Sequence, residues 1–215
     1  KYLKKMNKLN ENFEITPPKN QLKLFGYKYY FDSFVNLHKK DKLPNVILLS
    51  GPKGSGKATF SYHFINYLLS NNENKKYSLN DFCIHPENKS YQSLCNNIHP
   101  NFSLLENDTL DDEIKIENVR KTLRFLNKST YSSGIKIVLI DSAEYLNKYS
   151  SNALLKAIEE ANYKTFFLII NSNSYKTLNT IKSRCIEFKF FFNLSEKKKI
   201  LSLILQDYIN NLDLL

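Results

Sequence analysis

The stretch Gly51-Pro52-Lys53-Gly54-Ser55-Gly56-Lys57-Ala58 holds three of the chain's five glycines. Glycine lets backbone N–H groups converge on an anion with no side chain in the way. The apolar run Val46-Ile47-Leu48-Leu49 comes just before it, and Phe60, Phe64, Tyr67 and Leu68 follow at helical spacing. Strand, glycine-rich turn and a helix opening on lysine is the phosphate-cradling P-loop arrangement. Its N–H groups and the positive end of the helix dipole would hold phosphates. Lys57 would reach toward the outer ones. The nucleotide-binding set read here is Gly51, Gly54, Ser55, Gly56, Lys57, Ala58 and Thr59, with Asp141 and Asn171 joining it from further along the chain.

One position departs from the motif. The residue after the lysine is expected to be Ser or Thr, whose hydroxyl ligates Mg²⁺. Here it is Ala58, and the hydroxyl comes at Thr59. One helical step turns a side chain by roughly 100°, so Thr59 is expected to point elsewhere. The loop reads as able to hold phosphate and less able to hold the metal. Two alternatives stay open: a loop that binds ATP, and a loop retained for its turn geometry.

At 215 residues the chain has room for one α/β domain and a small appendage. Its apolar content of 42% supports a full core. The longest apolar run, Phe166 to Ile170, is strand-sized, far short of the roughly 20 residues of a transmembrane helix. Lys1-Tyr2-Leu3-Lys4-Lys5 has no apolar segment behind it, so these residues are not expected to be a secretory signal, and a first residue of Lys is read as the mark of a fragment. Net charge is +10. That attracts polyanions, but Lys, Asn, Ile, Tyr and Phe are all heavily used, so part of the lysine content is compositional bias. Cys83, Cys95 and Cys185 make an odd number, which argues against a disulfide framework and fits a reducing cytoplasm.

Residues 1–25 read as a polar arm broken by Pro17-Pro18. A helix is expected over 27–40, with Pro44 before the first strand. Residues 71–98 form a polar insertion in which Cys83, His85, Cys95 and His99 match no tight zinc knuckle, so zinc is not expected. A strand over Phe102–Leu105 leads to an acidic, solvated turn at Asp108, Asp111, Asp112 and Glu113. Ile116, Val119, Leu123 and Leu126 recur as on a helix. Ile135–Ile140 is a buried strand ending at Asp141. Ser150-Ser151 is expected to cap the next helix, and Thr165–Ile170 is a strand ending at Asn171. Ile186–Phe190 is the last strand, and Ser195 is expected to cap a lysine-rich helix. Strands alternating with helices predict an α/β fold, a mainly parallel sheet flanked by helices. Ligands in such sheets sit at the strands' carboxyl ends, where Gly51, Asp141 and Asn171 all fall.

Asp141 occupies the place of a Mg²⁺-holding Walker B aspartate. The next residue, where a carboxylate normally orients the attacking water, is Ser142. Glu144 is expected to face outward or meet a neighbour. Asn152-Ala153-Leu154-Leu155-Lys156-Ala157-Ile158-Glu159-Glu160, the strand Phe166–Ile170, and Ile181-Lys182-Ser183-Arg184-Cys185 resemble bacterial DNA polymerase III clamp loaders of the AAA+ class. Gly56-Lys57-Ala58-Thr59 and His99-Pro100-Asn101-Phe102 are more similar to the delta-prime subunit than to gamma/tau. The resemblance covers roughly residues 20 to 205.

It implies an AAA+ P-loop core over 26–192 and the beginning of a helical lid over 193–215, with no collar domain. It implies a subunit of a ring that opens a sliding clamp and places it on primed DNA, with gamma/tau and delta subunits as partners. It assigns Arg184 as an arginine reaching into a neighbour's ATP site, and Asn171 as the sensor-1 residue. The resulting expectation is a cytoplasmic stator that lends Arg184 in trans. It is itself a degenerate ATPase with weak or absent hydrolysis, and the residues argue against a full Mg²⁺ site. The rival readings are an ATP-hydrolysing gamma/tau-like motor and a basic DNA-binding adaptor.

Overall fold

The computed structural model describes residues 16–107, 112–128, 134–161, 164–172 and 179–212. Five strands form one sheet: β1 (Val46–Ser50), β2 (Phe102–Leu105), β3 (Lys136–Ile140), β4 (Thr165–Asn171) and β5 (Ile186–Lys189). Their order is β2-β3-β4-β1-β5, and every pairing is parallel. Every residue of β1, β3 and β4 is buried, which is why these segments read as continuous apolar runs rather than alternating ones.

Successive side chains of a strand point to opposite faces, and the core divides accordingly. Ile47, Leu49, Ile137, Leu139, Leu168 and Ile170 pack against helices α1 (Lys28–Lys39) and α2 (Lys57–Leu69) through Phe31, Phe34, Phe60 and Phe64. Leu48, Val138, Ile140, Phe167 and Ile169 face α4 (Ile116–Asn127) and α5 (Lys148–Glu159) through Val119, Leu154 and Ile158. The predicted parallel α/β sandwich is what the chain forms. Lys136, at the start of β3, is the one lysine in the three fully buried strands β1, β3 and β4. Its ammonium is buried, and it donates to the carbonyls of Phe125 (3.2 Å), Leu126 (2.5 Å) and Lys128. It thereby satisfies the acceptors left over at the end of α4.

The insertion is an ordered part of this scaffold. It contains α3 (Lys89–Cys95), capped by Asn88, whose side chain accepts from the Tyr91 N–H at 2.6 Å. Asn66 on α2 donates to Asn88 at 2.8 Å, in a buried contact. Cys83 bridges to Ser78 and to Lys23 through backbone pairing. The cysteines are free thiols. Cys95 donates to the Lys19 carbonyl at 3.2 Å, and His99 Nδ1 accepts from the Asn101 N–H at 3.1 Å. Among the described residues no group of three or more His, Cys, Asp or Glu gathers as a metal site. No helix among them is long and apolar enough to cross a membrane.

Both expected serine caps are corrected. The cap of α5 is Asn147, which accepts from the Ser150 N–H at 2.9 Å, so Ser150 and Ser151 lie inside the helix. The Ser150 hydroxyl instead donates to the Ile114 carbonyl at 2.9 Å. Helix α7 (Leu194–Leu212) opens on a reciprocal box whose cap, Asn193, lies two residues before Ser195. Asn193 Oδ1 accepts the Glu196 N–H at 2.9 Å, and Glu196 accepts the Asn193 N–H at 2.7 Å. In each case an asparagine upstream wins because its amide oxygen reaches the third N–H. In the acidic turn, Asp108 and Asp111 lie outside the described residues, and Glu113 accepts from the Asn147 amide at 2.7 Å.

His63 is fully buried on α2, with Nδ1 3.0 Å from the Tyr77 hydroxyl and Nε2 3.1 Å from the Gln21 carbonyl. Burial pushes its pKa down to about 4, against 6.5 in the unfolded chain. Between those values the unfolded chain binds a proton that the folded chain does not, so stability falls as pH drops from 6.5 toward 4. The loss from this one group is about 3 kcal/mol. Denaturant titrations at pH 7.0 and pH 4.5 are expected to show it. A His63→Gln variant is expected to lose less stability between the two pH values than the parent.

Candidate functional site

β1 lies between β4 and β5, and its last residue, Ser50, stands beside Asn171 and Lys189. The chain leaves the sheet at Gly51, whose N–H donates to the Asn171 carbonyl at 3.3 Å. A Cβ on Gly51 would stand 2.2 Å from the Phe190 carbonyl oxygen, so only glycine fits. Gly54 and Gly56 have φ of +76° and +83°, a left-handed backbone that other residues rarely adopt. Helix α2 starts directly after Gly56. Lys57 is buried, and its ammonium donates to the carbonyls of Gly51 (2.8 Å) and Pro52 (2.7 Å) and to Ser55 Oγ (3.4 Å). Burial pushes its pKa down, while Glu144 and Asp141 hold it up.

The other expected residues arrive at the same edge. Asp141 follows β3, one strand beyond β4. Burial pushes its carboxyl up, against the Ser142 hydroxyl, which donates to it at 3.3 Å. Glu144 raises it further and Lys57 lowers it. Asn171 is buried at the end of β4, beside the start of the loop. Glu144, expected to face outward or meet a neighbour, belongs to this edge: its carboxylate accepts the Ser172 N–H at 3.2 Å and acts on Lys57. Ser142 explains this. It takes a left-handed turn (φ +64°, ψ +57°) that starts a short 3₁₀ turn at Ala143–Tyr145, folding Glu144 back toward β4.

Ala58 packs against the apolar core. Thr59 lines a cavity of about 560 Å³ together with Pro52, Lys53, Gly54, Ser55 and Gly56 of the loop. The donor set for Mg²⁺ is therefore one hydroxyl short at the helix start, and the residues present do not fit a complete Mg²⁺ site. The phosphate donors fit an anion: loop N–H groups, a helix N-terminus and a buried lysine. The cavity runs between the loop, the Leu24–Tyr27 segment and α7, with Phe192, Ile200 and Ile204 supplying apolar wall. It falls within the range of small-molecule sites. Gly26 admits α7 at close range, since a Cβ there would meet Ile200 Cδ1 at 2.4 Å. Sequence reading missed Gly26, Tyr27 and Glu144. Gly26-Tyr27 sits in a stretch of little periodicity, and only the lone glycine marked it.

Arg184 is not at this edge. It follows α6 (Asn179–Lys182) and precedes β5, which begins beside Ile47 and ends beside Ser50. The length of β5, roughly 10 Å, separates it from the loop. Its side chain is about one-third exposed (34%) and ion-paired with Glu159, Nε to Oε1 being 2.5 Å. Nη1 donates to the Thr180 carbonyl at 2.8 Å.

A parallel sheet of this order, with a P-loop after β1, an amide residue ending β4 and a carboxylate following β3, defines an AAA+ P-loop domain. The chain belongs to the family described as "DNA polymerase III, delta subunit", whose model matches residues 27–192. Among curated relatives, the delta-prime subunit of DNA polymerase III from Pseudomonas aeruginosa is 33% identical over 143 residues, covering 66% of this chain and 42% of its own length. A DNA polymerase III gamma subunit from Buchnera aphidicola is 30% identical over 200 residues, covering 91% of this chain and 52% of its own. The chain spans about half the length of these relatives. Among solved structures, a DNA polymerase III gamma subunit-related protein from Thermotoga maritima aligns with a TM-score of 0.50 at 19% identity, over 75% of this chain and 47% of that one. The RuvB Holliday junction branch migration motor of the same organism aligns with a TM-score of 0.50 at 17% identity, over 86% of this chain and 53% of its own. Family model and relatives together make this a delta-prime-like member of the clamp-loader family.

The two loop glycines are expected to differ in cost. Gly51→Ala drives a methyl into a backbone oxygen and is expected to lower stability by about 3 kcal/mol or more. Gly54→Ala meets nothing within 4 Å and carries only the left-handed penalty, about 1–2 kcal/mol. Urea unfolding of the two variants checks the order.

Proposed function

We propose that this chain is the AAA+ module of a DNA polymerase III clamp-loader subunit, acting as a stator that lends Arg184 to the ATP site of a neighbouring subunit. The position of Arg184 carries the reading. It lies on the surface, at the sheet edge opposite its own P-loop, and so cannot serve that loop. Its pairing with Glu159 does not oppose the role. An exposed ion pair is worth at most about 1 kcal/mol, less than the charge-assisted, bidentate contacts a guanidinium makes with phosphate.

The chain's own loop is proposed to bind the phosphates of ATP through Gly51, Gly54, Ser55, Gly56 and Lys57, with the base against the apolar wall beyond Thr59. Asp141 and Asn171 would face the outer phosphate. Hydrolysis at this site is expected to be weak or absent, because Ala58 offers no metal ligand and Ser142 no carboxylate to orient water. Gamma/tau and delta subunits are the proposed partners, and the assembled ring is proposed to act on a sliding clamp and primed DNA.

In a complex reconstituted with gamma/tau and delta subunits, Arg184→Ala is expected to lower ATP turnover at least roughly tenfold while assembly, followed by size-exclusion chromatography, is unchanged. Unchanged turnover in an intact complex removes the role. For the isolated chain, ATP affinity is expected to be about the same with Mg²⁺ and with EDTA. Steady hydrolysis that disappears in Asp141→Ala would point instead to a gamma/tau-like motor. Tight DNA binding by the isolated chain that collapses with salt would point to a DNA adaptor.

A further inference from the structure

We propose that Tyr27 is a positioning residue for the phosphate loop, its hydroxyl holding the Ser55–Gly56 peptide in the orientation that turns the Gly56 N–H toward the anion. The Tyr27 hydroxyl donates to the Ser55 carbonyl. The peptide joining Ser55 to Gly56 is trans, and in a trans peptide the C=O and N–H point in opposite directions. Fixing the carbonyl toward Tyr27 therefore fixes the Gly56 N–H away from it. Gly56, with φ +83°, has no side chain to resist a flip of that peptide. Something outside the loop has to set its direction.

Tyr27 is built to do this. It is only 3% exposed. Its ring is held at centroid distances of 5.4 Å from Phe60, 5.0 Å from Phe190 and 4.9 Å from Phe192. Its carbonyl accepts the Phe31 N–H at 2.9 Å, tying its backbone to α1. The ring also lies against the loop, since a Cβ on Gly56 would stand 3.2 Å from Tyr27 Cε2. Burial raises the pKa of the phenol, so the hydroxyl remains a donor throughout the physiological range. Nothing else about the position requires a hydroxyl: phenylalanine would fill the same aromatic pile. The effect on ligands rests on the proposed phosphate-binding reading, whereas the effect on the loop does not.

The test is Tyr27→Phe, with Tyr30→Phe as control. Tyr30 donates a comparable bond to the Lys189 carbonyl at 3.0 Å, at an exposed position off the loop. Amide hydrogen exchange over residues 51–57 and equilibrium ATP binding are measured in the absence of Mg²⁺. Tyr27→Phe is expected to speed exchange at the Gly56 amide about fivefold or more, leave β3 and β4 unchanged, and weaken ATP about fivefold, as loss of one hydrogen bond implies. Tyr30→Phe is expected to change neither. Unaltered loop exchange overturns the proposal, and so does faster exchange spread evenly over loop and sheet, because the hydroxyl would then serve general stability. If the parent chain binds no ATP, the nucleotide reading fails, and exchange at Gly56 alone decides the role of Tyr27.

Discussion

The contact on which the site depends is that of Gly51 with the Phe190 carbonyl. Ser50 is paired on both sides, to Asn171 and to Lys189, so the backbone cannot drift as it leaves the sheet. Its next N–H is taken by Asn171 and its next Cα lies against Phe190. Three strand ends are thus joined at one residue. The loop begins at a fixed point and α2 leaves it in a fixed direction, with Phe60 set on Phe190 at 4.8 Å between centroids. The fully buried faces of Phe31, Phe34, Phe60 and Phe64 then lock α1 and α2 together. Each such ring contributes about 2 kcal/mol of burial, so the cradle's geometry is secured by the core rather than by the loop itself.

The charges at this edge oppose one another. Lys57 is drawn toward its neutral form by burial and back by Glu144 and Asp141, while Asp141 is pushed toward its neutral form by burial and by Glu144. Among these three coupled side chains two are carboxylates and one an ammonium, so the trio carries no surplus of positive charge. A phosphate entering here would gain from the N–H groups and the helix dipole and be opposed by the carboxylates. In a complete P-loop site a magnesium ion stands between the two and cancels that repulsion. With Ala58 at the ligand position, the carboxylates would act on a bound phosphate directly. The missing hydroxyl thus bears on affinity as well as on hydrolysis.

What sequence could reveal here was whatever a short window contains. The buried strands were legible because parallel strands covered on both faces must be apolar throughout, and the loop because it concentrates glycines between a strand and a helix. The helix caps were half legible: Ser150 and Ser195 are good capping residues, but Asn147 and Asn193 lie within a few positions, and only the exit path of the chain chooses between them. The direction of Glu144 stayed open because it is set by the left-handed turn at Ser142, which nothing in the residue type announces. Tyr27 was missed for a different reason. Its partners are Ser55, Phe60, Phe190 and Phe192, separated from it by up to 165 residues, and no local pattern registers a contact of that span. Arg184 was legible only through its motif; its placement at the far edge follows from the strand order.

That strand order has a mechanical consequence. β5 carries Phe190 at one end, under Gly51, and Arg184 just before its other end. Between them its backbone is paired to β1 from Ile186↔Ile47 to Lys189↔Ser50. A strand cannot slide along its neighbour by a fraction of a residue without breaking its ladder, and a one-residue slip would turn Phe188, and Phe190 just after the strand, to the other face of the sheet. Phe188 and Phe190 both sit in the aromatic layer, so that slip is strongly opposed. β5 therefore sets the distance between the loop and the turn, Ser183 to Cys185, that carries Arg184. In the proposed assembly, displacement of Arg184 relative to a neighbour's phosphate would have to come from motion of the whole domain. A short-range adjustment is open to the arginine side chain itself, which could exchange Glu159 for another anion.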